Sequence, residues 1–400
     1  MSKEKYRLLI VTSHPIQYDV PVFRLMAQHP KLDILVAYCS LQGSKPGLDT
    51  GFGIEVKWDI PLLDGYPWVE LPNQSWKPGI SGFFALVNFQ LWKLIRRDKF
   101  DAVVMHTGYS YASSWIGIIA TKTSGIPLLF GTDAHQLNPR DKKFWKISIK
   151  KWLLPKIFRI ADTVMVHSSG AVKFMDSLRI PKDNVQLVPF IVDNEWWIAQ
   201  SQQVNRALVR QQWGIPQDAP LVLFCAKLQA WKRPQDVLQA FAKANVPSAY
   251  LVLAGEGPLR ESLETEAKSL KILDQVKFLG FVNQSQLPSV YTAADLFVLP
   301  SEHEPFGVVV NEAMLCNCAV VVSDQVGARY DLIREGETGF VYPCGDIEAL
   351  TKILQKMLTD KVQLSQMGKM AYQQMEHWSP RDRVEAVIQG IEKALVKLSK

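Results

Sequence analysis

The stretch Leu296-Phe-Val-Leu-Pro-Ser-Glu-His-Glu-Pro-Phe-Gly-Val-Val-Val-Asn-Glu-Ala-Met314 runs from a short apolar segment through a turn into a helical pattern. Its first four residues are all apolar, which is typical of a strand buried on both faces of a parallel sheet. Pro305-Phe306-Gly307 forms the turn, and a helix is expected to open near Val308. A buried strand that leads directly into a helix is the repeating unit of parallel α/β folds.

The same unit repeats along almost the whole chain. In the first half the predicted strands are Leu8–Val11, Leu32–Ala37, Ala102–Met105, Pro127–Phe130, Thr163–Val166 and Val185–Val188. In the second half they are Leu221–Cys225, Tyr250–Leu253, Val276–Leu279, Leu296–Leu299, Ala319–Val322 and Gly339–Val341. Because strands that alternate with helices pair in parallel through right-handed crossovers, we predict an α/β protein with two doubly wound, Rossmann-like domains.

The length of the chain also favours two domains, since 400 residues exceed one ordinary core. The boundary is expected near Pro189–Gln203, where the last strand of the first half gives way to a new helical pattern. We therefore predict a first domain over 1–190, a second over 191–378, and a C-terminal helix over 379–400 that returns to the first domain. Ligands of such folds bind beyond the carboxyl ends of the strands, so two domains facing each other would enclose a binding cleft.

Composition excludes several classes of protein. Hydrophobic residues make up 48% and charged residues 21% of the chain, which excludes a wholly disordered polypeptide. The five cysteines are odd in number and contain no Cys-x-x-Cys pair, which argues for a reducing compartment and against a structural zinc or a disulfide framework. The sequence shows neither a signal-peptide pattern nor a long apolar span, so a cytoplasmic location is expected.

The charge of the chain is unevenly distributed. Residues 1–200 hold 24 Lys and Arg against 17 Asp and Glu, whereas residues 201–400 hold 21 against 22. The excess of positive charge therefore lies in the first half, whose partner is expected to be a phosphorylated substrate, an anionic membrane surface or a nucleic acid. Nucleic acid is not expected, because no nucleic-acid-binding motif accompanies the charge.

Several loops at the carboxyl edge of the second predicted sheet suit a phosphorylated ligand. Lys227 and Lys232 follow one strand, and two ammonium groups there can neutralise a diphosphate. Gly255 lies in a turn that permits close backbone approach, and the amides of Phe281 and Val282 can meet the edge of a base. Each loop alone would be an ordinary turn, but their succession along one sheet edge predicts a binding site.

Two glutamates flank the turn before the helix of the opening stretch. The unpaired N–H groups at the helix start suit a phosphate, and Gly307 lets the ligand approach the backbone. Glu312 falls about one turn into the helix, where a carboxylate can accept hydrogen bonds from sugar or ribose hydroxyls. Glu304 precedes the turn. A solvated helix with surface glutamates is the alternative interpretation, and the pair taken alone would favour it.

Taken together, these loops and glutamates resemble those of a known family. Residues 220–350 are similar to the retaining glycosyltransferases of family 4, which have the GT-B fold. In that family an arginine usually stands at the position of Lys227, so this chain keeps the charge but loses the bidentate grip on a phosphate. The segments that carry the resemblance, in order, are the Lys227 and Lys232 loop, Ala254–Pro258, Phe278–Val282, Ala294–Leu296, Pro300-Ser301, Glu304 with Glu312, and Gly327 with Gly339-Phe340.

The resemblance implies a role for each residue around the turn. By analogy with the family, Glu304 binds the donor sugar and Glu312 binds the ribose. The amides of Phe306, Gly307 and Val308 would face the sugar and the phosphate. The resemblance also implies that a sugar passes from a nucleotide-diphosphate sugar to an acceptor hydroxyl with retention at the anomeric carbon, by front-side attack.

The resemblance is weaker in the first domain, which we expect to bind the acceptor. His14 and Gln17 leave the first strand, where family members often have a glycine-rich loop, and His106 follows another strand end. Asp133 and His135 share a loop in which the family often has a histidine, and either can take that place. A carboxylate at Asp133 can orient an acceptor hydroxyl or act as a weak base. Capping or loop roles are the alternatives for His14 and Asp133.

Two further stretches of the first domain combine apolar and basic residues. The segment 139–159 carries eight basic residues and one acid, interleaved with Phe144, Trp145 and Trp152. Such a helix can lie on an anionic membrane at its inner face, and a solvated lysine face over an apolar core side is the alternative. The segment 83–97 also has helical spacing, and we expect it to pack in the core.

No Asp-x-Asp motif and no His/Cys cluster with metal-ligand spacing occurs, so no metal or cofactor is expected. Lys227, Lys232 and the helix start would then stabilise the leaving diphosphate. The expected acceptor is a sugar or a lipid-linked sugar of cell-envelope polysaccharide or glycolipid synthesis. A nucleotide-sugar epimerase on the same fold and a non-catalytic membrane-associated scaffold are the alternatives.

Overall fold

The computed structural model describes residues 5–49, 51–138 and 143–398. The start of the predicted basic segment, 139–142, lies outside the described residues. So do 1–4 and 50 of the predicted first domain and the last two residues of the predicted C-terminal helix.

The strands of the described part are close to those predicted from the apolar runs. In the first half of the chain they are β1 (Tyr6–Thr12), β2 (Leu32–Tyr38), β3 (Gly47–Asp49), β4 (Ile54–Val56), β5 (Trp68–Glu70), β6 (Ala102–Met105), β7 (Leu128–Gly131), β8 (Thr163–Val166) and β9 (Val185–Leu187). In the second half they are β10 (Leu221–Cys225), β11 (Tyr250–Ala254), β12 (Val276–Gly280), β13 (Leu296–Leu299), β14 (Ala319–Ser323) and β15 (Gly339–Tyr342).

Helices connect the strands. Those before β10 are α1 (Val20–Gln28), α2 (Gln90–Arg97), α3 (Ala112–Thr123), α4 (Trp145–Phe158), α5 (Ser169–Ser177), α6 (Asn194–Gln203) and α7 (Arg206–Gln212). Those after β10 are α8 (Pro234–Ala244), α9 (Arg260–Ser269), α10 (Leu287–Ala293), α11 (Val309–Leu315), α12 (Ile347–Thr359), α13 (Lys361–Gln374) and α14 (Pro380–Leu398). No helix within the described residues is both long and apolar enough to cross a membrane.

Two parallel sheets confirm the predicted α/β class. The first has the order β5-β2-β1-β6-β7-β8-β9 and the second the order β12-β11-β10-β13-β14-β15. All the neighbouring strands in both sheets pair in parallel. Each order runs outward from its first strand and then reverses, which is the doubly wound Rossmann-like arrangement. The chain therefore crosses over the sheet on the way from β5 to β6 and from β12 to β13, and the strand order reverses between β1 and β6 and between β10 and β13.

The described residues form two compact units, each with its own apolar core. The first unit comprises 5–47, Ile60–Phe190 and helix α14, and the second comprises Leu48–Asp59 and Ile191–Ser379. The predicted first domain, 1–190, is continuous in sequence, whereas the structure assigns Leu48–Asp59 to the second unit. The reason is that this segment hydrogen-bonds and stacks on residues of the second unit, contacts that no local pattern encodes.

The aromatic stretches of the first unit divide between core and surface. In α4, Leu154, Ile157 and Phe158 are buried, but Trp145 and Trp152 are exposed by 63% and 64%. In the segment 83–97, Leu91 and Ile95 are buried as expected. The prediction of core packing is wrong for Phe83, Phe84 and Phe89 of that segment, which are exposed. These rings precede α2 or start it, so they do not share its buried face.

Helix α14 is fixed to the first unit by polar contacts as well as by its buried Val384, Val387 and Ile391. Nη2 of Arg383 donates to Oδ1 of Asp19 over 2.9 Å, and both side chains are 5% exposed. Asp19 is the residue before α1, so this ion pair joins the last helix of the chain to the first.

Replacing Arg383 with Met should lower the free energy of unfolding of the first unit by about 3 kcal/mol, because the Asp19 carboxylate is left buried without its cation. Urea denaturation followed by circular dichroism measures the change. Lys393→Met removes an exposed charge from the same helix and should cost less than about 0.5 kcal/mol. Equal losses in the two variants would contradict the role assigned to the buried pair.

Candidate active site

Predicted site residues of the second unit meet where the strand order reverses. Lys232 ends a short 3₁₀ turn after β10, and Glu304 follows β13, the strand next to β10 in the sheet. The Lys232 ammonium forms an ion pair with the Glu304 carboxylate, and both side chains are largely shielded from solvent. The hydroxyl of Ser301 lies 3.4 Å from the same carboxylate oxygen. Loops that follow adjacent strands on either side of the reversal diverge and leave a crevice, which is where ligands of such sheets bind.

The turn after Glu304 is shaped by close backbone contacts. Gly307 has a φ of 95°, which favours glycine. The N–H of Gly327 donates to the carbonyl of Glu304 over 3.0 Å, and that of Ala328 donates to Phe306 over 2.9 Å. A Cβ on Gly327 would lie 1.9 Å from the carbonyl oxygen of Pro305. The loop after β14 therefore holds the turn in place only because residue 327 has no side chain.

Helix α11 begins one residue later than expected, with Val308 as its N-cap. Among the residues that the structure describes, no side chain makes a capping hydrogen bond at this helix start. The buried ring of Phe306 stacks on Trp378 with the two planes 4° apart and the centroids 5.9 Å apart, which fixes the position of the preceding turn. Gly307 and Val308 thus lie where the sequence predicted them, between β13 and the helix.

Glu312 is a buried acid. Its side chain belongs to the buried face of α11 and the residue is 2% exposed, so the interpretation of this position as a surface glutamate is wrong. The hydroxyl of Tyr291 donates to Oε2 of Glu312 over 2.9 Å. Burial raises the pKa of Glu312 to about 8, although this hydrogen bond acts in the opposite direction. At neutral pH the group is therefore mostly a carboxylic acid that can both donate and accept a hydrogen bond.

The neighbouring loops also lie against one another. Gly255 has a φ of 142°, and a Cβ on it would lie 2.0 Å from the carbonyl oxygen of Ala226, so the loops after β10 and β11 touch through their backbones. Phe281 and Val282 follow β12 on the same edge and are partly exposed. The aromatic ring of Phe281 contacts Phe52 and Trp58 at centroid distances of 5.0 and 6.1 Å.

Lys227 has a partner that the sequence did not indicate. Its Nζ donates to Oδ1 of Asp49 over 2.7 Å, and Asp49 belongs to the segment Leu48–Asp59. The structure thus pairs Lys232 with a predicted residue, Glu304, and pairs Lys227 with an unpredicted one.

The acceptor-side candidates of the first unit divide into two groups. Nε2 of His106 lies 3.7 Å from Oδ2 of Asp19, and Oδ1 of Asp133 lies 3.7 Å from Nε2 of His167. The rings of His106 and His167 are 5.6 Å apart, so these four residues form one cluster. Arg383 completes the cluster through its bond to Asp19. Sequence reasoning missed Asp19, His167 and Arg383.

The other candidates make local contacts. Nδ1 of His14 lies 2.9 Å from the hydroxyl of Ser13, and burial lowers the pKa of His14 although the Asp19 carboxylate acts to raise it. Gln17 lies partly buried in the turn before α1. Nδ1 of His135 lies 3.1 Å from the backbone carbonyl of Asp133, and its Nε2 lies 3.1 Å from Gln136. Asp133 and His135 share one loop. The carboxylate of Asp133 contacts the histidine cluster, whereas His135 contacts residues of its own loop.

His167 is held as a neutral ring. Its Nδ1 lies 2.8 Å from the carbonyl oxygen of Val188, so this nitrogen carries the proton and donates it. Burial, with Arg383 and His106 nearby, lowers the pKa of His167 well below its usual value. A cavity of about 30 Å³ lies beside His106, His167 and Arg383. Nε2 of His167 and Nη1 of Arg383 have no hydrogen-bond partner in the part of the chain that the structure describes.

No group of three or more His, Cys, Asp or Glu side chains within 5–49, 51–138 and 143–398 is arranged to hold a metal ion. The ammonium groups of Lys227 and Lys232 follow β10 at this edge of the second unit, and their charge suits that of a diphosphate.

Two family models match the chain. Residues 57–196 match Glycosyltransferase Family 4, and residues 205–374 match Glycosyl transferases group 1. The chain therefore belongs to the group 1 glycosyltransferases of family 4 and has their GT-B fold, as its sequence predicted. This membership favours glycosyl transfer over the alternatives of an epimerase or a non-catalytic scaffold.

Named relatives and solved structures agree with this assignment. The chain is 25% identical to the alpha-D-kanosaminyltransferase of Streptomyces kanamyceticus over 73% of its own length and 79% of the relative's. It is 26% identical to the N-acetyl-alpha-D-glucosaminyl L-malate synthase of Bacillus anthracis over 70% and 71% of the two chains. Its fold is similar to that of HepE from Anabaena in complex with UDP and glucose, with a TM-score of 0.72, 18% identity, and coverage of 97% and 99%.

The raised pKa of Glu312 predicts a pH-dependent stability. An unfolded glutamate has a pKa of 4.5, whereas the folded group keeps its proton up to about pH 8. The folded state therefore binds more protons in this window, and the free energy of unfolding should fall as the pH rises through it. Glu312→Gln removes this titrating carboxyl group. As the pH rises through the window, the free energy of unfolding of the variant should therefore increase relative to that of wild type, by at most roughly 1.4 kcal/mol per pH unit.

Urea denaturation at intervals from acid to alkaline pH measures this difference. Glu261→Gln, at an exposed glutamate of the same unit, is the control and should show a difference that does not vary with pH. A flat profile for Glu312→Gln would mean that Glu312 ionises normally in the folded protein.

Proposed function

We propose that this glycosyltransferase moves a sugar from a nucleotide-diphosphate sugar to an acceptor hydroxyl with retention at the anomeric carbon and without a metal ion. The observation that carries the proposal is the Lys232–Glu304 ion pair beside the backbone turn at Gly307. It combines a cation for the departing diphosphate, a carboxylate for sugar hydroxyls and the backbone amides of a helix start. The similar HepE structures hold UDP, or UDP-glucose, which supports a nucleotide-sugar donor.

The reaction is a substitution at the anomeric carbon. The bond from this carbon to the diphosphate oxygen breaks, and its electron pair leaves with the diphosphate, whose charge Lys232 and Lys227 neutralise. The acceptor oxygen forms the new bond on the same face, and its proton passes to the departing phosphate oxygen. Retention is supported by the α-configured glycosyl groups that the names of two relatives state, since UDP-glucose is itself an α-glycoside.

We assign the acceptor to the first unit. Asp133 is 63% exposed at its side chain and can orient a hydroxyl, while His167 and His106 lie beside it in the same cluster. A sugar or a lipid-linked sugar presents the hydroxyls that such a carboxylate binds. A role in cell-envelope polysaccharide or glycolipid synthesis is part of this proposal and is supported by the basic first half of the chain.

A panel of UDP-, GDP- and ADP-sugars tests the donor. The donor should raise the melting temperature, because a ligand that binds only the folded state stabilises it. With that donor, Lys232→Ala should lower the rate of transfer to a panel of sugar acceptors by about 10²–10³-fold, the usual effect of losing one group that stabilises developing charge. The anomeric configuration of the product, read from the proton–proton coupling at the anomeric carbon, tests retention.

Lys243→Ala is the matched control, since Lys243 is a half-exposed lysine of the same unit that pairs with Glu348 on the surface. Its transfer rate should equal that of wild type. Near wild-type transfer by a folded Lys232→Ala variant, or loss of activity on treatment with EDTA that Mg²⁺ or Mn²⁺ restores, would contradict the proposed mechanism.

We further propose that α4 brings the first unit to an anionic membrane. Trp145 and Trp152 are exposed on this helix together with Ile149, and the ammonium of Lys156 lies 3.4 Å from the centroid of the Trp152 ring. Exposed indole rings with lysines beside them are the combination that partitions into the interface of anionic lipid.

Co-sedimentation with vesicles should show binding to phosphatidylglycerol-rich bilayers and much weaker binding to pure phosphatidylcholine, with binding lost at high salt. The double variant Trp145→Ala, Trp152→Ala should reduce binding severalfold, because it removes buried apolar area at the interface. Leu208→Ala, at an exposed apolar residue of the second unit, should leave binding unchanged. Failure of the wild-type chain to bind anionic vesicles would overturn this part of the proposal.

A further inference from the structure

The segment Leu48–Asp59 lies in the first half of the sequence but packs in the second unit. Strand β4 of this segment pairs with β3, which begins one residue before the segment, in a two-stranded sheet. Most of its residues are exposed, and Val56 is its buried apolar anchor. We call this segment the hairpin.

One end of the hairpin contacts the loop after β10. Nζ of Lys227 donates to Oδ1 of Asp49 over 2.7 Å, and Nε2 of Gln229 donates to the carbonyl oxygen of Gly51 over 2.9 Å. The same ammonium lies 4.4 Å from the centroid of the Phe52 ring. A Cβ on Gly51 would lie 2.6 Å from Nζ of Lys227, so a glycine here lets the lysine lie along the hairpin.

The Asp49 carboxylate is also fixed by the backbone of the hairpin itself. Its Oδ1 also accepts hydrogen bonds from the backbone N–H groups of Gly51 and Phe52, over 2.8 and 3.0 Å. Burial acts to raise the pKa of Asp49, but the hydrogen bonds from Lys227 and the backbone outweigh it and lower the pKa. The carboxylate is therefore charged at neutral pH and directed at the ammonium.

The other end of the hairpin contacts the loop after β12. Nδ2 of Asn283 donates to the carbonyl oxygen of Lys57 over 2.7 Å, and the backbone N–H of Ser285 donates to Asp59 over 3.1 Å. The ring of Phe281 makes an edge contact with that of Phe52. The hairpin thus spans the loop of Lys227, to which the proposed function assigns the diphosphate, and the loop of Phe281 and Val282, which the sequence predicts to meet the base of the donor.

We propose that Asp49 is a positioning residue that holds Lys227 in the unliganded donor site and is displaced from it by the donor's diphosphate. This inference rests on the proposed function. Because the carboxylate and the diphosphate are both negative and compete for one ammonium, Asp49 weakens donor binding while it keeps the lysine ordered. Asp49 acts through Lys227 and takes no part in the bond changes.

Isothermal titration with the best stabilising member of UDP, GDP and ADP tests this competition. Asp49→Asn keeps an oxygen for the Gly51 and Phe52 amides but removes the charge, so the hairpin should stay folded. Its dissociation constant should be about two- to fivefold lower than that of wild type, the effect expected for a partly exposed ion pair. In the steady state the KM for the sugar donor should fall by a similar factor with less change in kcat.

Two further variants separate the local effect from general charge. Glu55→Gln removes one negative charge from an exposed position of the same hairpin and should leave the dissociation constant unchanged. In a Lys227→Ala background, adding Asp49→Asn should produce no further gain, because the shared ammonium is gone. Circular dichroism and the melting temperature confirm that each variant is folded.

Each remaining outcome overturns the inference. A wild-type chain that binds one of the nucleotides, with Asp49→Asn equal to it or weaker, shows that Asp49 does not compete, and the proposed function survives. If Asp49→Asn still raises the nucleotide affinity in the Lys227→Ala background, or if Glu55→Gln raises it as well, the effect comes from overall charge. A wild-type chain that binds none of the three nucleotides overturns the proposed function and this inference together.

Discussion

The candidate donor site depends on the absence of side chains where its loops cross. The carbonyl oxygen of Pro305 stands 1.9 Å from where a Cβ of residue 327 would be, and that of Ala226 stands 2.0 Å from a Cβ of residue 255. No rotamer change relieves a clash between a Cβ and backbone, so these crossings require glycine. They bring four loops of one sheet edge together in two pairs, the loops after β10 and β11 and the loops after β13 and β14. The Lys232–Glu304 ion pair and the turn at Gly307 are held between them.

The buried polar groups of the site follow from this crowding. Helix α11 has seven residues and is buried over most of them, so Glu312 has no access to solvent and takes the Tyr291 hydroxyl as its partner. A carboxyl group in that position is neutral near pH 7, and a ribose that donates hydrogen bonds to it would favour its charged form. Binding of such a ligand and release of a proton would then be coupled through one side chain.

Local sequence patterns predicted the parts of the fold that local interactions decide. Continuous apolar runs located the central strands, and the strand-to-helix turn located Gly307 and the start of α11 within one residue. The short strand β5 was missed, because Trp68 and Glu70 are exposed at the sheet edge and form no apolar run. The buried state of Glu312 was also missed, since two glutamates with seven residues between them are equally typical of a solvated helix face.

The remaining site residues are set by contacts between distant parts of the chain. Arg383 reaches Asp19 across 364 positions, and Asp49 reaches Lys227 across 178. No periodicity or turn chemistry encodes such pairs. His167 is different, because it directly follows the buried strand β8 and a polar residue at a strand's carboxyl end is a recognisable signal.

The contact with Asp49 offers a physical reason for a lysine, rather than an arginine, at position 227. An arginine there would bind the Asp49 carboxylate through two parallel hydrogen bonds, and a diphosphate would have to break both. The ammonium makes one hydrogen bond to Asp49 and rests on the Phe52 ring, so it can turn toward a diphosphate at a smaller cost. If Asp49 competes with the diphosphate as proposed, a lysine in place of the family's usual arginine would bind this carboxylate less tightly and would leave the ammonium more accessible to the phosphate.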